Sequence, residues 1–68
     1  MEKNWIKIFT SPDFYKSEMV KQVLCDHQID AVLLNRQASS HRDFGNVEVY
    51  IHKENFGRAI EVMILTQI

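Results

Sequence analysis

At 68 residues, with 46% hydrophobic and 25% charged positions, the chain is one small globular domain spanning 1–68 and is not a disordered segment. A net charge of −1 and the lack of any basic block exclude an electrostatic binder of nucleic acid or of an anionic membrane. The longest apolar run, Val62-Met63-Ile64-Leu65, is far too short to span a bilayer, and one cysteine allows no internal disulfide.

The opening residues Met1-Glu2-Lys3-Asn4-Trp5 lack the apolar stretch of a signal peptide, so a cytoplasmic setting is expected. Chains this short bury only about 60% of the surface their unfolded form exposes. Burial against a second copy is therefore expected, and a homodimer is the predicted assembly.

Residues 5–10 alternate and carry β-branched and aromatic types, which predicts a first strand. Simple alternation puts Ile6 and Ile8 on the core side and Trp5, Lys7 and Phe9 on the other. Trp5 and Phe9 then form an exposed aromatic pair and a candidate dimer contact. Ser11 and Pro12 read as the cap and first residue of a helix, with Asp13 in its first turn. Met19, Val20, Val23, Leu24 and His27 predict its inward stripe, with Ser17 at the edge. That helix is expected to stop near His27-Gln28, where a non-glycine residue must take the left-handed conformation.

Residues 29–34 are nearly all apolar and predict a buried second strand. Residues 35–46 are polar and too long for a tight turn, the length of a connection that has a use. Val47-Glu48-Val49-Tyr50-Ile51 predicts the central strand, with Val47, Val49 and Ile51 inward. A second helix starts at 53–55, with Phe56, Ala59, Ile60, Met63, Ile64 and Gln67 as its inward stripe. Glu54 and Arg58 are spaced to pair on its outer side. Val62 and Leu65 fall off that stripe. Either they are dimer contacts, or residues 64–68 leave the helix.

The element order is thus β-α-β-β-α. With a right-handed crossover, the expected fold is α+β and ferredoxin-like, without the last strand. Its sheet has the order 1-3-2, and both helices lie on one face. The first strand is an edge open to pairing.

Trp5-Ile6-Lys7-Ile8-Phe9, Val20-Lys21-x-x-Leu24 leading into Ile29-x-Ala31, Val47-x-Val49 and Ala59-Ile60 together cover most of the chain. In these positions, mostly core, it resembles the small prokaryotic signal-transducing domains grouped by fold with the nitrogen-regulatory P-II proteins. It departs at Ser17, where a small alanine is usual, and at Gln28, where glycine usually precedes the isoleucine. The resemblance implies the fold and a signalling role. P-II proteins carry their regulatory loop between the second and third strands, where 35–46 lies here. No nucleotide site carries over, because the residues that form it have no match.

For chemistry, the candidates are few. Cys25 and His27 point about 200° apart on a helix, so a shared metal is not expected. Cys25 sits at a helix C-terminus beside Asp26, which disfavours a thiolate nucleophile. Ser39, Ser40, His41 and Asp43 include triad residue types, but nothing in the sequence holds them to geometry. No cofactor and no catalytic residue are expected. Arg36, His41 and Arg42 form the one binding cluster, able to grip a carboxylate, a phosphate or an acidic partner. The expected function is a non-enzymatic regulatory module that meets a protein partner through 35–46. The alternative is a sensor of a nucleotide or another small anionic metabolite at the same loop.

Overall fold

The computed structural model describes residues 4–36 and 46–67. Along the chain run β1 (Trp5–Ser11), α1 (Phe14–Asp26), β2 (Ala31–Asn35), β3 (Val47–His52), a short 3-10 turn (Lys53–Asn55) and α2 (Phe56–Thr66). The fold is α+β, and the three strands form one antiparallel sheet in the order β1-β3-β2.

The core joins both helices to one side of the central strand. Val20 and Leu24 of α1, Ala59 and Val62 of α2, and Val49 and Ile51 of β3 form one buried cluster with Ile29. Ile6, Ile8, Phe9, Ala31 and Leu33 pack against it from the flanking strands.

Phe9 corrects the simple alternation of the first strand. Lys7 pairs with Tyr50 and Phe9 with Val49, so Ile8 is an extra residue, a β-bulge. A bulge shifts the side-chain parity of everything beyond it. Trp5 and Lys7 face away from the helices, and Phe9 faces them. The exposed Trp5–Phe9 pair does not form.

Helix α1 starts two residues later than the Ser11 cap predicts. Asp13 is the cap, and its Oδ1 accepts the Lys16 backbone N–H at 3.2 Å. Ser11 supports it by accepting the Asp13 N–H on Oγ at 3.0 Å. The buried line is Ser17, Val20 and Leu24, whereas Met19 and His27 are exposed. Ser17 is tolerated inside because its hydroxyl donates to the Asp13 carbonyl at 3.1 Å.

The end of α1 follows the expected left-handed stop. Gln28 has φ 64°. Its N–H reaches the Cys25 carbonyl at 2.9 Å, and the Ile29 N–H reaches that of Leu24 at 3.0 Å. This is a Schellman closure. Its usual apolar contact is formed by Ile29 and Leu24, both fully buried in the core. Ile29 is therefore a core plug ahead of β2, which begins at Ala31.

Helix α2 is rotated from the predicted stripe. Val62 lies in the core with Ala59, while Phe56 and Ile64 are exposed. Met63 packs beside Ala59 and Val62, so the buried face of α2 centres on these three residues. The helix continues to Thr66, so the extended tail is not formed over 64–66. Leu65 remains 76% exposed. Arg58 does not serve Glu54: its Nη2 donates to the His27 carbonyl at 3.0 Å, tying α2 to the end of α1.

Candidate functional site

The side of the sheet away from the helices carries the polar chemistry. Alternation and the β1 bulge place Trp5, Lys7 and Thr10 there from β1, Val32 and Leu34 from β2, and Glu48, Tyr50 and His52 from β3. None of the described residues forms a helix over them.

Glu48 is the centre of this face. It lies mid-sheet, with Thr10 and Leu34 as its cross-strand neighbours. Its Oε1 accepts from Arg36 Nε at 3.0 Å and from the Tyr50 hydroxyl at 3.0 Å. Its Oε2 meets Lys7 Nζ at 3.5 Å. Lys7 and Arg36 reach it from opposite edges, and each is a diagonal neighbour across a strand pair. Glu48 keeps only 11% of its side-chain surface exposed, against 47% for Lys7 and 59% for Arg36. The pairs are thus half in water, which limits what each contributes.

The Arg36 hydrogen bond holds the Glu48 carboxyl below the usual carboxylate range, and the Tyr50 hydroxyl and the Lys7 charge act in the same direction. Partial burial opposes them. The Glu48 hydrogen bond and charge push Arg36 above its already high ordinary value. The site is a carboxylate held by Lys7, Arg36 and the Tyr50 hydroxyl.

At the end of the same face, Trp5 and His52 stack with ring centroids 4.0 Å apart at an interplanar angle of 35°. They are directly paired residues of β1 and β3. His52 is the last residue of β3, and its ring joins Trp5 and makes no side-chain capping bond.

Of the predicted binding cluster, Arg36 lies on this face and is paired with Glu48. His41 and Arg42 lie outside the described residues, as do Ser39, Ser40 and Asp43. Of the predicted dimer contacts, Phe9 packs on the core and Val62 belongs to it. Trp5 faces outward in its stack with His52, and Leu65 is exposed. Cys25 and His27 are both exposed. The His27 Nδ1 lies 3.0 Å from the Val23 carbonyl, which occupies it locally. Among the described residues no group of three metal-ligating side chains converges.

Glu48 is the functional candidate that sequence reasoning missed. In the sequence it is an ordinary polar position on an alternating strand. The available signal was its place on the central strand, with Tyr50 two residues on, Lys7 on one flanking strand and Arg36 just past the end of the other.

Comparison with protein-family models, with curated proteins and with solved structures finds no match to this chain. The described residues form a small α+β domain in which helices cover one face of the sheet and not the other. No helix of the described residues is long and apolar enough to cross a membrane.

Proposed function

We propose that this domain is a non-enzymatic regulatory, signal-transducing module that binds a protein partner. The contact is the open sheet face together with the connection that leaves it at Arg36. Its architecture reads as ferredoxin-like without a final strand, and its expected setting is the bacterial cytoplasm.

The observation that carries this reading is the open face itself. It combines Trp5, Tyr50 and His52 with Val32 and Leu34 around one pinned carboxylate. Aromatic and arginine side chains are enriched where proteins meet. The Glu48 bonds hold Tyr50, Arg36 and Lys7 in place before any partner arrives, which lowers the ordering cost of association. The anion-sensor alternative draws less support. Its one described cation, Arg36, already serves Glu48, and an incoming anion would have to displace that carboxylate.

Affinity capture with the wild-type chain and with Trp5→Glu, alongside calorimetry against nucleotides and organic acids, tests the reading. The expected outcome is a partner held by the wild type and lost by the variant, with no heat from the small anions. Heat from an anion that Arg36→Gln abolishes, with capture unaffected by Trp5→Glu, would replace this reading with the sensor.

A further inference from the structure

The two edges of the sheet are not equally guarded. β1 carries the bulge at Ile8, with Lys7 next to it. Bulges and lysines are standard protection against edge-to-edge pairing, because they break the regular row of amide groups and place charge beside it. β2 has neither. Its residues Ala31, Val32, Leu33, Leu34 and Asn35 pair with β3 in one unbroken register and include no charge and no proline.

The hydrogen-bond phase of β2 identifies what its outer edge offers. The Arg36 N–H donates to the Asn46 carbonyl at 3.0 Å, so residues 36 and 46 form a bonded pair. Bonded and non-bonded pairs alternate along an antiparallel ladder. Val32 and Leu34 therefore direct their amides and carbonyls to β3, and Ala31 and Leu33 direct theirs outward. Leu33 faces the helices yet is only half-buried, while its partner Val49 is fully buried.

We propose that a second copy of this chain occupies that edge, β2 pairing antiparallel with β2 of the copy about a two-fold axis at Leu33. The charge pattern selects this register. Asp30, exposed and without an ion pair among the described residues, then lies directly opposite Arg36 of the copy. By symmetry the same contact forms twice, at the two ends of the pairing. A two-fold moved to Ala31 or Val32 sets Asp30 against Val32 or Leu34 instead. The two Leu33 residues exchange amide and carbonyl bonds at the centre. Val32 of each chain meets Leu34 of the other on the open face, as close non-bonded neighbours.

The axis runs perpendicular to the sheet, so both open faces point the same way. The result is one continuous six-stranded surface with order 1-3-2-2-3-1. Arg36 sits between Glu48 of its own chain and Asp30 of the other. The pairing does not depend on what the open face binds.

Sedimentation and hydrogen exchange test the proposal. At concentrations on the order of 100 µM, an affinity in the micromolar range gives a species of about 16 kDa, twice the 8.0 kDa chain. The Leu33 amide is protected in that species and loses protection on dilution. Asp30→Arg places like charges opposite Arg36 at both ends and weakens association roughly five- to thirtyfold. Val32→Lys, at a partly exposed edge position, does the same by the device natural edges use. Trp5→Glu leaves the mass unchanged while removing the open-face partner, which separates this contact from the proposed function. A chain that stays at 8.0 kDa overturns the proposal. So does a dimer that resists both edge variants, or one that Trp5→Glu dissociates.

Discussion

On the covered face of the sheet, Val47, Val49 and Ile51 are fully buried, and the contacts between Val49 or Ile51 and Val20, Leu24, Ala59 and Val62 are purely apolar. On the open face, the alternate residues of the same strand, Glu48, Tyr50 and His52, are held by hydrogen bonds, charge and ring stacking. One strand therefore takes part in two kinds of order. Burial of carbon has no direction, so more than one apolar stripe of a helix can satisfy it. Charged hydrogen bonds fix individual atoms at about 3 Å and are sensitive to pH and salt.

The largest break in this comparison is on the covered side. Leu24→Ala removes a fully buried side chain from the core and from the Schellman contact with Ile29. It should cost about 3 kcal/mol, a large part of the roughly 3–10 kcal/mol expected for a domain of this length. Urea unfolding would show the midpoint collapse. A loss under 1 kcal/mol would mean that the core does not depend on this contact.

On the open side, Glu48→Gln keeps the shape and discards the charge. It should cost about 1 kcal/mol near neutral pH, in line with a charged hydrogen bond half in water. The pH dependence is the sharper readout. Because the folded carboxyl titrates below its ordinary value, its stabilisation is fully present above the unfolded value of about 4.3 and is lost as pH falls through the folded value. Between about pH 6 and pH 3 the wild type should therefore lose more stability than Glu48→Gln. Parallel curves would show that the network contributes nothing to folding.

The smallest effect is a gain. Gln28 adopts a left-handed conformation that glycine enters without strain. Gln28→Gly should stabilise the domain by roughly 0.5–1 kcal/mol, offset in part by added freedom of the unfolded chain. Thermal unfolding of the two proteins side by side would reveal a rise of a few degrees. A fall would indicate that the Gln28 side chain has a role of its own.

The covered face was largely legible in the sequence and the open face was not. Apolar alternation over 47–51 and the helix stripes need only carbon in the right period, so element order, strand order and most core members could be read directly. The stop at Gln28 was legible because chain direction must reverse between His27 and Ile29. What failed did so for two local reasons. The extra residue at Ile8 turned Phe9 inward. Along α2 apolar residues stand on more than one side, so period alone did not separate Val62 from Phe56 and Ile64. The Glu48 site was illegible for a different reason. Lys7, Arg36 and Glu48 are far apart in sequence, and only the strand register brings them together.

The kink at Ile8 also sets a rule for editing this chain. Removing that single residue would act as a frameshift in space: either the indole end of the strand swings toward the helices, carrying the Lys7 ammonium into hydrocarbon, or the Phe9 ring is expelled to water. Insertions and deletions elsewhere in β1 face the same choice, so the strand can change its letters far more freely than its length.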